Sequence, residues 1–231
     1  MQNFKNMISN VINNQVSDCK LCPRLIQYIN SEGLRKPISF RNQKYWNKPV
    51  PSFGDPKANL LVIGLAPAIN GGNRTGRMFT GDSSGDWLMR AMFETGFASI
   101  PKSISIDDGL TLRNAYVTSV VKCAPPLNKP TSKEILNCSI HLKKEIESLN
   151  NTLKVIVTLG KIAFDSYRKL TGIKGLKFKH GSVHKIDQEK ILIVSYHPSR
   201  RNTNTKLLDW SMWIEVFKMA RSIINHNPEE V

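Results

Sequence analysis

LLVIGL, at residues 60–65, is a short apolar run that ends in glycine-rich sequence, the form taken by a strand buried on both faces of a sheet. Three further runs repeat it. AYVTSVV at 115–121 is rich in β-branched residues, VIVTL spans 155–159, and ILIV spans 191–194 with a hairpin partner expected at 183–186. Between them lie helical patterns. Trp87, Leu88, Ala91 and Met92 recur at helical spacing, with Asp82, Ser83 or Ser84 as N-cap and Gly96 as stop. Thr131 and Glu134 fit a capping box for a helix with Ile135, Leu142, Ile146 and Leu149 on one face. Gly160 opens another, and a last helix is predicted over residues 206–224. Residues 1–18 read as a short helix. Residues 36–57 carry Pro37, Pro49, Pro51, Gly54 and Pro56 and read as an extended wrap. Strands alternating with helices predict the α/β class, a three-layer α/β/α sandwich around a mainly parallel four-stranded sheet, folded as one domain over residues 1–231. Ligands of such sheets bind beyond the carboxyl ends of the strands, which directs attention to the loop after Leu65 and the Tyr196-His197-Pro198 turn.

The chain of 231 residues carries 33 Lys and Arg against 18 Asp and Glu, a formal net charge of +15. This far exceeds the ~2 to 8 that keeps a small domain soluble, and nucleic acid is the commonest partner of so basic a surface. No apolar run approaches the ~18 residues needed to span a bilayer, and MQNFKNMISN has no apolar core of a signal peptide. A cytoplasmic protein without membrane association is expected.

The four cysteines fall as a C-x2-C pair, Cys19 and Cys22, and a C-x14-C pair, Cys123 and Cys138. In a reducing compartment such a set reads as a metal site rather than as two disulfides. Zinc and an iron-sulfur cluster both accept four thiolates, and the spacing does not choose between them. Pro23 directly after Cys22 matches the Cys-Pro ending of some cluster-binding runs, and His141 is an alternative ligand.

The segment GLAPAINGGNRTGRMFTGD, residues 64–82, is a long glycine-rich loop leaving a strand. It lacks the Gly-Lys-Ser/Thr ending of a nucleoside triphosphate site, and its small residues instead let the backbone approach a flat ligand. Together with VKCAPPLNKPT at 121–131, the closing HPS at 197–199 and the cysteine positions, this segment resembles the iron-sulfur branch of the uracil-DNA glycosylase superfamily, most closely its family 5, or type B. The likeness runs from Cys19 to about Arg201.

The resemblance implies a 4Fe-4S cluster on Cys19, Cys22, Cys123 and Cys138, which makes the N-terminus a cluster-binding segment. It implies a base pocket made by the backbone of Gly64, Ala66, Pro67 and Ala68, with Phe79 stacking on the flipped base. His197 is then the donor to the uracil carbonyl, Asp82 the carboxylate that handles water, and Asn128 its helper. Each has a plainer reading: core packing for Phe79, a helix N-cap for Asp82, a turn residue before Pro130 for Asn128. Ser199, Arg200 and Arg201 are expected against the DNA backbone, positioning the duplex.

Two positions depart from better-known uracil glycosylases. Ala66 stands where they carry a water-activating Asp, as is usual in type B, and Ser119 stands where family 4 has the asparagine that reads the uracil edge. A shorter side chain at 119 predicts release of hypoxanthine as well as uracil. The expected function is therefore a monofunctional, monomeric DNA repair glycosylase acting on deaminated bases. The alternatives are a non-catalytic iron-sulfur DNA-binding protein and a zinc-stabilised nuclease, the latter disfavoured by the lack of clustered carboxylates. No apolar wedge is found between Ser199 and Lys206 to fill the space a flipped base leaves.

Overall fold

The computed structural model describes residues 2–226. Its elements, in chain order, are α1 (Gln2–Ser17), α2 (Pro23–Glu32), β1 (Phe53–Gly54), β2 (Leu60–Gly64), α3 (Gly72–Thr75), α4 (Ser83–Glu94) and β3 (Ala115–Ser119). They continue with α5 (Ser132–Leu149), β4 (Val155–Leu159), α6 (Lys161–Thr171), β5 (Val183–Lys185), β6 (Ile191–Ser195), α7 (Arg200–Asn204) and α8 (Trp210–Asn225).

The sheet has six strands in the order β1-β3-β2-β4-β6-β5, not four. The four apolar runs form its parallel centre, with Gly64 beside Ser119 and Val157 beside Ile193. An antiparallel strand closes each edge. The hairpin partner β5 was legible as a pattern, whereas β1 is two residues long inside a proline-rich wrap and gives no periodicity to read.

Every residue of β2, β3 and β4 is buried, because helices cover both faces of the sheet. On one face Leu60, Val62, Val117, Val157 and Ile193 pack against Leu88 of α4 and Trp213 and Phe217 of α8. On the other, Leu61, Ile63, Ile156 and Leu192 meet Leu25 and Ile29 of α2, Leu142 of α5 and Phe164 of α6. The three expected layers follow, with α1 outermost against α5. The predicted last helix divides: Lys206 takes a left-handed φ of 57°, and Asp209 then caps α8 by accepting from the Met212 N–H. Leu207, predicted on the helix face, is left half-exposed outside it. The capping box on α5 is formed in both directions. No helix among the described residues is long and apolar enough to cross a membrane.

Candidate active site and cysteine pocket

The sequence-predicted base-pocket residues gather at and beyond the carboxyl ends of β2, β3 and β6, with Phe79 packed into the core on the α4 face and Ala66 against the opposite one. Phe79 is buried at the end of the glycine-rich loop with a left-handed φ of 51°, a conformation unfavourable for an aromatic residue. Its ring lies against Gly64, where any side chain would collide with it, and Gly85 in turn lets α4 close onto the Phe79 backbone. The loop is braced from below. Arg77 donates to Thr80 Oγ1 at 3.0 Å, to Ser103 Oγ at 2.8 Å and to Asp108 Oδ2 at 2.6 Å. Burial pushes the Asp108 carboxyl up, but Arg77 and the backbone N–H groups of Leu110, Ile104 and Ser105 outweigh it and hold its pKa at about 2. Sequence reasoning missed this brace, since Asp108 lies in an irregular loop 31 positions from Arg77 with no motif around it.

His197 follows β6, its ring centroid 6.4 Å from that of Phe79 with the planes 28° apart. Its carbonyl accepts from the Ser199 N–H and from Asn202 Nδ2, which fixes the turn. Burial lowers the imidazole pKa to about 4, so the ring is neutral at physiological pH. A neutral imidazole keeps one N–H to donate. Ala66 and Ala68 present backbone N–H groups that no protein acceptor meets among the described residues, while the Ala68 carbonyl is taken by Gly71 and Asn73. Pro67, which has no N–H, packs against Gly72 instead.

Asp82 is the N-cap of α4, its Oδ1 accepting from the Gly85 N–H at 2.9 Å. Its other oxygen lies over Gly71, where a side chain would collide with it. Burial raises its pKa, opposed by the hydrogen bonds from Gly85 and Ser84. The capping reading is thus correct. Ser119 is fully buried beside Gly64, donating to the Val121 carbonyl at 2.9 Å and lying 3.4 Å from Met78 Sδ. Asn128 is exposed on a 3-10 turn, Pro126–Asn128, in the loop after β3. Ser199 caps α7, Arg200 reaches Ser83 Oγ at 3.3 Å, and Arg200 and Arg201 are exposed.

The profile of the uracil DNA glycosylase superfamily matches residues 51–218, which hold this whole constellation. The chain belongs to that superfamily. It is 43% identical to a type-5 uracil-DNA glycosylase of Pyrobaculum aerophilum, over 90% of this chain and 89% of that protein. A type-5 enzyme of Thermus thermophilus is 41% identical over 89% and 93%, and one of Mycobacterium leprae 38% identical over 92% and 94%. Within the superfamily these relatives place the chain in the type-5 group.

A second site lies on the opposite face. Cys19 precedes α2, Cys22 caps it, Cys123 follows β3 and Cys138 sits on α5, and all four line one cavity with Leu25 and Val121. None is in a disulfide. Among the described residues no group of three or more Cys, His, Asp or Glu side chains is placed to hold a single metal ion. Asn137 Nδ2 lies 3.7 Å from Cys22 Sγ and the Lys122 N–H 3.3 Å from Cys138 Sγ, as donors to sulfur. Burial raises the Cys22 and Cys123 thiols and pushes Cys138 up to about 12. Arg24 and Glu134 join α2 to α5 by two 2.7 Å bonds. Behind the cavity Lys122 and Glu145, both fully buried, pair at 2.9 Å with Ser52 and Thr118. His141 is buried beside them, neither ring nitrogen hydrogen-bonded among the described residues, and does not line the cavity.

Proposed function

We infer that the protein is a DNA repair enzyme, a uracil-DNA glycosylase that hydrolyses the bond between base and sugar and leaves an abasic site. The observation that carries this reading is the convergence of Phe79, neutral His197, Asp82 and the free Ala66 and Ala68 N–H groups at the carboxyl ends of three strands, in a chain of this superfamily.

Breaking the glycosidic bond builds negative charge on the departing base and positive charge on the sugar. A uracil turned out of the duplex stacks on the Phe79 ring. The His197 N–H and the alanine amides meet the charge on its oxygen, donors preorganised before the reaction and worth ~3 to 4 kcal/mol each. Asp82, capping α4 through one oxygen, holds water with the other and faces the cationic sugar. Asn128 assists from the loop after β3. Lys122 is tied to Glu145 beneath the opposite face, so no Schiff base and no strand cleavage are expected from it. Ser199 accepts from Asn202 and keeps its own hydrogen for a phosphate, with Arg200 and Arg201 beside it.

The cysteine cavity is proposed to hold a 4Fe-4S cluster. Cys19, Cys22, Cys123 and Cys138 line one cavity and together supply the four thiolates such a cluster requires. When bound, it supplies the positive charge that buried thiolates need and ties α2 to β3 and α5. The neighbouring N–H donors to sulfur fit the same role.

Ser119 sharpens the expected substrate range. With its hydrogen held by Val121, the hydroxyl offers only lone pairs, and both uracil and hypoxanthine present an N–H beside a carbonyl. Cytosine presents an acceptor there and is refused. Single-turnover release of free base from duplexes carrying uracil, hypoxanthine or cytosine in one mispair context tests this. Release of the first two is expected. Binding without release of any base would instead favour a non-catalytic DNA-binding protein, and uracil release without hypoxanthine would remove Ser119 from the reading of the base.

A further inference from the structure

We propose that Leu127 is the apolar wedge that enters the base stack and holds open the space left by the flipped nucleotide. The inference rests on the glycosylase reading, because a base turned out of a duplex leaves a gap that its neighbours would otherwise close.

Leu127 is 84% exposed and takes a left-handed φ of 54°, the first disfavoured in a leucine by the hydrophobic effect and the second by backbone sterics. Strain of this kind persists where the surroundings impose it and a function uses it. Here the surroundings are explicit. Pro125, Pro126 and Pro130 flank the residue, and the N–H groups of Asn128 and Lys129 close successive turns onto the carbonyls of Pro125 and Pro126. The side chain is therefore presented outward on a stiff tip, at little entropic cost on insertion.

Its place in the fold fits the task. The loop begins on the floor of the pocket, where Val120 and Val121 donate to the carbonyls of Gly64 and Leu65. It is anchored at Cys123 and ends beside Asn128 and the exposed Lys129, which can meet a phosphate. Other exposed apolar residues lack this combination. Ile38, at 85%, lies in an ordinary 3-10 turn, and Leu207, at 49%, lies beyond the polar stretch after His197.

The test compares Leu127→Gly with Leu207→Ala and Ile38→Ala on uracil in duplex and in single-stranded DNA. A single strand needs no wedge. L127G should lower the ratio of duplex to single-strand rates at least ten-fold and suppress the fluorescence rise of a 2-aminopurine placed beside the uracil. Leu127→Phe, which retains an apolar wedge, should restore both. Because glycine relieves the left-handed strain, L127G should melt no lower than the wild type, separating the effect from misfolding. An unchanged ratio in L127G, or a fall confined to L207A or I38A, overturns the proposal. A wild-type protein that releases uracil from neither substrate defeats the glycosylase reading itself, a separate result.

Discussion

The pocket on the α4 face and the cysteine cavity on the α5 face both bury titratable groups and push them toward their neutral forms, with opposite consequences for the roles proposed for them. In the pocket, the neutral form suits the role proposed for His197 but not the one proposed for Asp82. Burial keeps His197 neutral and able to donate, and it raises the Asp82 carboxyl against the hydrogen bonds from Gly85 and Ser84. In the cysteine cavity the same burial raises three thiols, with no cation among the cavity-lining residues other than Lys122, already paired with Glu145. Neutral donors can be preorganised by folding alone. Cysteines bind metal groups as thiolates, so the proposed cluster would itself have to supply the positive charge that the cavity's own residues do not.

The strongest way to break this contrast is at Cys123. Cys123→Ser should abolish bound iron and sulfide, lose the broad absorbance near ~400 nm and cost much of the folded protein, because metal binding and folding are coupled at such sites. Retention of colour and melting temperature would place the group elsewhere.

His197 tests the opposite site. His197→Ala should slow base release by ~100-fold or more with duplex binding nearly unchanged, since the donor acts on charge that develops only in the transition state. Its pH signature has a definite sign. With a folded pKa of about 4 against ~6.5 in the unfolded chain, the unfolded state binds more protons between these values. The stability conferred by the neutral ring is full above about 6.5 and falls as pH drops toward 4. The melting-temperature difference between wild type and H197A should shift in that direction between pH 7.5 and 4.5, and a constant difference would contradict the buried neutral ring.

The smallest effect sharpens the double role of Asp82. Asp82→Asn keeps a good N-cap and removes the raised carboxyl, so it should leave the melting temperature equal or higher while slowing release. Asp82→Ala should slow release similarly and also cost ~1 kcal/mol of stability for the lost cap. Equal stability in the two variants would mean that the cap contributes nothing.

The parallel centre of the sheet was legible because strands buried on both faces must be continuously apolar, as LLVIGL, VIVTL and ILIV are. The edge strand at Phe53–Gly54 was not, since two residues carry no period. His197, Phe79 and Asp82 could be placed in advance from the strand ends and the motifs. Their support could not: Arg77 with Asp108, and Lys122 with Glu145, are pairs between distant segments whose partners have no local signature. The start of the last helix was also misjudged, because Leu207 has the right spacing for α8 but Asp209, a stronger start signal, lies after it.

The bonds from Arg24 to Glu134 close a separation of 110 residues, and α1 lies along α5. Assembly order on the ribosome follows from that distance. At ~5–20 residues per second, Cys19 and Cys22 wait on the order of ten seconds before Cys138 has been made. During that interval the first pair stands without its partner cysteine on α5. On the proposed cluster reading, no group can be held by all four thiols until the chain has grown past α5, while the strands β4 and β6 are still to be made.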